Sequence, residues 1–177
     1  MKTSVFVGVS VDGFLARASG GLDFLDAAGS GSHGYEEFIE SVDTIVIGGK
    51  TFEIVMGFDA WPYGQRRVVV LSSQPVDLSG ATARGGRIEQ MSGPPSDSAS
   101  TLAAQGARHA YVDGGVTIQR FLRAGLIQRL VISRVPVLIG SGIPLFGALP
   151  HDVSLRHVAT KAFAGGLVQS EYAVVAA

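Results

Sequence analysis

The sequence predicts one α/β domain on a mostly parallel central sheet, closed at its C-terminal end by an antiparallel hairpin. Three observations predict it. Strand-like and helix-like segments alternate through the first two thirds of the 177 residues, the pattern of strand, crossover and parallel strand. Hydrophobic residues make up 46% of the chain and charged ones 16%, a balance that suits strands covered on both faces. No repeat or low-complexity linker divides the chain, so residues 1–177 read as a single domain.

Val5 to Val11 is a β-branched and aromatic run stopped by Asp12 and Gly13, which reads as the first strand. After a Gly/Ser loop, Ser32 to Val42 sets Tyr35, Phe38, Ile39 and Val42 at helical spacing with Glu36, Glu37 and Glu40 between them. Thr44 to Ile47 is a buried strand ended by Gly48 and Gly49, and Lys50 to Met56 a short helix. Arg67 to Leu71 is the third strand. Residues 79–98 read as a loop broken by an edge strand at Arg87 to Met91. A helix capped by Asp97 or Ser98 runs to Gln105, followed by a strand at His109 to Val112. Thr117 to Ala124 is helical and Arg129 to Val135 a strand. Pro136 to Phe146 is a Gly/Pro-punctuated connection, and Ser154 to Phe163 with Leu167 to Val175 form the hairpin around Gly165 and Gly166.

Composition removes several function classes. With no cysteine there is no disulfide, thiol nucleophile or zinc–thiolate chemistry, and a reducing compartment, the cytoplasm, is expected. The apolar run after Lys2 is too short for a signal peptide, and no stretch approaches the roughly 20 apolar residues of a membrane span. The net charge is −1, and Arg84 to Arg87 is the nearest thing to a basic cluster, so nucleic acid is not an expected partner. His33, His109, His151 and His157 lack metal-ligand spacing, no serine lies in a G-x-S-x-G elbow, and no metal site is expected. Gly29, Gly31 and Gly34 match G-x-G-x-x-G, but Asp23 to Ala28 before them is no strand, and the match is rejected.

Parallel sheets bind ligands beyond the carboxyl ends of their strands, and three turns there carry suitable chemistry. Asp113, Gly114 and Gly115 precede a helix whose free N–H groups suit a phosphate; the same letters serve equally as a tight turn that needs positive φ. Gly48 to Thr51 adds a cation and a hydroxyl at a second strand end, and Ser72 with Ser73 adds two hydroxyls at a third. Near the first strand, Asp12 and Asp23 are the carboxylates singled out as proton donor or anchor for an aminated ring, provided burial raises their pKa.

The segments VGVSVDGFLAR (7–17), GGLDFL (20–25), YEEFIESVDTIVIGGKTFEIV (35–55), WPY (61–63), VVVLSS (68–73) and YVDGGVTIQRFLRAGLIQRLVISRVPVLIGSGIPLF (111–146) resemble the dihydrofolate-reductase-like family. The resemblance is closest to stand-alone relatives of the reductase domain of bacterial riboflavin-biosynthesis deaminase-reductases. It implies a three-layer dihydrofolate-reductase-like fold and an NADPH-dependent reductase of a small heterocycle, a pterin, pyrimidine or similar ring, with NADH not excluded. The alternatives are a riboflavin-pathway pyrimidine reductase, acting on 5-amino-6-(5-phosphoribosylamino)uracil, and a nucleotide- or small-ligand-binding protein with little turnover.

Carried onto this chain, the resemblance implies that Gly114, Gly115, Val116 and Thr117 hold the pyrophosphate. Gly49, Lys50, Thr51, Leu71, Ser72 and Ser73 take the adenosine side, and Val9, Leu15 and Ala16 flank the nicotinamide. Phe6, Phe24, Tyr35, Phe38, Phe52, Val55 and Trp61 line the substrate, with Asp23 as the catalytic carboxylate. The resemblance also implies a homodimer, for which Val168, Val174 and Val175 offer an apolar hairpin edge. Two departures stand out: Gly49 and Ser73 occupy positions where relatives carry Arg, which leaves Lys50, Arg66 or Arg84 to meet a 2′-phosphate. Gly34 stands where dihydrofolate reductases place an acid, so folate itself is not the expected substrate.

Overall fold

The structure is a computed structural model that describes residues 1–175. Ten strands and five α-helices follow in chain order. β1 is Lys2–Ser10, β2 Phe14–Ala16, α1 Tyr35–Glu40, β3 Thr44–Gly48, α2 Gly49–Met56, β4 Arg67–Leu71, α3 Ser79–Ala83 and β5 Arg87–Met91. Then come α4 Pro95–Ala104, β6 His109–Asp113, α5 Gly115–Arg123, β7 Arg129–Val135, β8 Ile143–Pro144, β9 Leu155–Ala162 and β10 Val168–Val174. Eight strands form the main sheet in the order β5-β4-β3-β6-β1-β7-β10-β9. It is parallel from β5 to β7, and β10 runs antiparallel to both β7 and β9.

Alternation along the strands produces the three layers. Val46, Val69, Ala110, Val112, Val5 and Ile132 point to one face, where Leu102 of α4 and Ile118 and Phe121 of α5 cover them. Ile45, Ile47, Val68, Val70 and Tyr111 point to the other, against Phe38 of α1, Phe52 and Val55 of α2, and Ala81 of α3. Strands buried on both sides need nearly unbroken apolar sequence, which is what made β3, β4 and β6 legible. The fold is dihydrofolate-reductase-like, with the expected hairpin at the C-terminal end of the chain.

The differences from expectation sit where short elements depend on distant partners. β2 and β8 lie within segments read as irregular; each is three residues or fewer and exists because it pairs with the other across the chain. α3 falls in the expected loop, and α1 is trimmed to Tyr35–Glu40 because left-handed Gly34 begins it. Asp97 and Ser98 are not caps: α4 starts at Pro95, whose missing N–H costs nothing at a first helical position. Within the hairpin, Val168 and Val175 are exposed while Val174 packs against the core. Among the described residues, the outer edge of β9 has no partner strand.

At the amino ends of the strands, His109 ties β6 to β1 and α1. Its Nδ1 lies 2.9 Å from the Ser41 carbonyl, so Nδ1 carries the proton and Nε2 accepts from the Ser4 hydroxyl at 2.8 Å. Burial pushes its pKa below the ordinary histidine value. The unfolded chain therefore takes up the proton first as pH falls below about 6.5, and stability drops with it. In parallel urea titrations at pH 7.5 and pH 5.5, the gap between wild type and His109→Gln is expected to shrink at the lower pH. A gap independent of pH contradicts this assignment.

Candidate active site

The central feature of the site is a seam. β1 pairs with β6 only from Lys2 to Ser4, opposite His109 to Tyr111, and then leaves it. Beyond that point β1 stays with β7 up to Ser10, whereas β6 stays with β3 up to Asp113. The sheet is thus parted at its carboxyl end, at a topological switch point where such sheets take ligands. Tyr111 closes the base of the opening, its hydroxyl donating to the Phe6 carbonyl at 2.8 Å.

Two strand-to-helix turns stand beside the opening and interlock. Gly114 has φ +92°, a conformation that L side chains rarely adopt, and an added methyl group there would fall on Thr51 Oγ1. Reciprocally, a methyl on Gly48 would come within 2.8 Å of Thr117 Oγ1. The turns after β3 and β6 are therefore one unit. The first N–H groups of α5 have no partner within the helix, since Ile118 makes the first bond, to the Gly114 carbonyl. Val116, 67% exposed, leaves that approach open. A methyl on Gly115 would meet Ile143, the Pro144 carbonyl and Leu15, so the β2–β8 ribbon closes over the same turn. Ala16 O sits where a methyl of Gly142 would be.

Next to these turns, a cavity of about 920 Å³ opens at the ends of β4 and β5. Gly49, Lys50, Leu71, Ser72 and Ser73 line it, as does Arg120 of α5, which sequence reasoning missed. Glycine turns with bare backbone, a helix start and a cation-bearing cavity of this size suit a dinucleotide with its phosphates at the turn and its adenosine beyond. Val9 stands apart from its expected role: its side chain is buried in the core beneath the sheet, with Val112 and Ile118.

On the opposite face, Phe6 packs against Phe38 with ring centres 4.9 Å apart and against Tyr35 at 5.6 Å. Phe52 and Val55 join the same cluster, and Phe24 is buried in the 3-10 turn Asp23–Ala28. Trp61 is a correction. It packs edge-on against Tyr63 and lies where a methyl of Gly86, just ahead of β5, would be, at the amino end of the sheet. α2 carries the chain away from the carboxyl ends before Trp61 is reached.

The carboxylates are the second correction. Asp23 is 63% exposed and forms a bidentate pair with Arg17, both bonds at 2.7 Å. That partner holds its pKa below the usual range, so it lacks the raised pKa a proton donor needs. Asp12 is likewise lowered, by Ser10 and by the Gly140 and Ile139 amides that it staples. The carboxyl with the raised pKa is Asp113, last residue of β6. Burial drives the shift, opposed by the Gly114 amide at 2.7 Å and by Tyr111. Burial and the charge of Asp113 also raise the phenols around it, Tyr35 to about 12 and Tyr63 and Tyr111 further. Burial thus favours the neutral form of the Asp113 carboxyl, and its titratable neighbours are phenols instead of cations. The signal for Asp113 lay in the sequence, at the end of an apolar strand, but the glycines after it drew attention to the backbone.

Known proteins match this chain along its length. The family model described as the RibD C-terminal domain matches residues 2–169. The uncharacterised protein YwjB of Bacillus subtilis (strain 168) is 31% identical over 183 residues, covering 97% of each chain. The crystal structure of a putative riboflavin biosynthesis protein from Shewanella sp. PV-4 superposes with TM-score 0.91 at 34% identity, covering 99% of this chain and 100% of that one. Dihydrofolate reductase from Enterococcus faecalis complexed with NADP(H) superposes with TM-score 0.67 at 17% identity, over 98% and 96% of the two chains, a likeness of fold.

Asp113 has a measurable cost. Because its pKa is higher folded than unfolded, the unfolded chain ionises first as pH rises past about 4, and stability then falls until the folded carboxyl ionises as well. Asp113→Asn, which keeps the acceptor for Gly114, is expected to melt above wild type at pH 8 and level with it at pH 4. Equal melting temperatures at pH 8 overturn the assignment.

Proposed function

Because the chain belongs to the RibD C-terminal domain family, we propose that it is an NADPH-dependent reductase of a small, flat heterocycle. The observation that carries this reading is the seam between β1 and β6, with the glycine turn at its mouth and Asp113 at its wall. The relatives support it: the Enterococcus reductase of the same fold is complexed with NADP(H), and the Shewanella protein is described as a putative riboflavin biosynthesis protein.

When bound, the cofactor supplies the hydride; the chain supplies orientation and a proton. The α5 amides and the interlocked turns would hold its phosphates, with the β2–β8 ribbon closed over the same turn. Asp113 would give a proton to the substrate atom that gains the electron pair, and Tyr35 and Tyr63 stay protonated across the physiological range. The substrate side is aromatic at Phe6, Phe38 and Tyr35, and two cations, Arg129 and Lys161, line a cavity with Phe6 and Phe38, the Arg129 guanidinium 5.8 Å from the Phe38 ring centre. A homodimer, paired through the outer edge of β9, remains part of this reading.

Thermal melts with NADPH and NADH test the cofactor: ligand at a hundred times its Kd stabilises by about 2.7 kcal/mol. No shift with either nucleotide at millimolar concentration sinks the reading. With a turned-over pterin or pyrimidine in hand, Asp113→Asn is expected to lower kcat by roughly 10²–10³ while NADPH affinity stays level. Binding without oxidation of NADPH by any such ring favours a ligand-binding protein instead.

A further inference from the structure

We propose that Arg120, on α5, is the residue that distinguishes a 2′-phosphorylated nicotinamide nucleotide from an unphosphorylated one; this rests on the reductase reading above. The two turns expected to hold the adenosine side offer little to a dianion. Gly49 has no side chain, and its nearest neighbours, Ser72 Cβ and Oγ, lie 3.9 Å from where one would start. The Ser72 hydroxyl is committed to its own turn, donating to the Gln74 carbonyl at 2.7 Å and accepting from the Gln74 amide at 3.1 Å.

Two other cations fall away on geometry. Arg66 is held by the Ile39 carbonyl and Arg84 by the Phe58 carbonyl at 2.9 Å, and neither lines the cavity. The cations that do line it are Lys50, from α2, and Arg120, from α5. Their acidic neighbours there are Glu53, one turn along α2 from Lys50, and Asp77, whose carboxylate accepts the Ser79 amide at 2.9 Å. Lys50, like Arg120, takes part in no ion pair among the described residues, but its ammonium is a point charge with no hydrogen bond to fix it at the wall.

Arg120 is placed differently. Its Nη2 donates to the Gly93 carbonyl at 3.0 Å, which fixes the guanidinium at the cavity wall, and it takes part in no ion pair among the described residues. The remaining N–H groups of the planar fork are free for an anion, and such a fork matches phosphate oxygens in pairs where an ammonium offers only a point charge. A fixed, unpaired guanidinium opposite a small-residue turn is a phosphate reader supplied by the far helix instead of by the strand-end turns.

The test is calorimetric titration with 2′,5′-ADP and with 5′-ADP, which differ at the 2′ position, and it needs no turnover. Wild-type protein is expected to prefer 2′,5′-ADP at least tenfold. Arg120→Gln is expected to lose most of that preference while 5′-ADP affinity stays within about twofold, and Arg120→Lys to keep part of it. A preference that survives Arg120→Gln, or one abolished by Lys50→Gln alone, overturns the role of Arg120 and leaves the reductase reading standing. Wild type that binds NADPH but does not discriminate between the two probes has the same effect. Wild type that binds neither probe nor NADPH overturns both.

Discussion

Everything at the carboxyl end of this sheet depends on β1 and β6 ceasing to pair after three residues. Parallel strands that stay in register leave no room between them, and each unpaired backbone group near the core carries a desolvation cost. Here that cost is contained. β1 continues on β7 and β6 on β3, so only one edge of each is released, and the Tyr111 hydroxyl takes up the Phe6 carbonyl at the point of separation. The parting leaves Asp113 and the glycine turn after it at the end of β6 that β1 no longer pairs with.

How much of this was legible in the sequence follows from how local each cause is. β3, β4 and β6 announce themselves because strands covered on both faces need apolar residues throughout, and Gly48 and Gly114 mark their ends. The glycine pair was legible as either turn or phosphate site, and the structure adds that Gly114 is excluded from bearing a side chain by Thr51. What could not be read locally was pairing over distance. β2 and β8 are too short to have a pattern of their own, and the register that parts β1 from β6 is invisible in either strand alone. Asp23 resembled a catalytic carboxylate until Arg17 was seen to neutralise it, and Trp61 belonged to the site only until α2 carried it to the other end of the sheet.

Asp113 also shows why the site is not the most stable arrangement this fold permits. A carboxyl placed beside three tyrosines without a cationic partner disfavours its own ionisation and theirs. Such pressure has no value to packing, because an amide would satisfy Gly114 equally well. In the reduction proposed above, it would keep a proton at the end of β6.

The interlocking of the two turns has a consequence for how this protein can diverge. Thr51 occupies the space that a side chain at Gly114 would need, and Thr117 the space above Gly48, although each pair is separated by more than sixty residues of chain. Gly48 cannot take a side chain unless Thr117 gives way, Gly114 is held by its positive φ as well as by Thr51, and neither threonine can grow. The four positions should therefore be inherited as a block across descendants of this chain, whatever ring each comes to reduce. Positions such as Gly49, Ser73 and Arg120, which face an open cavity instead of one another, carry no such mutual constraint.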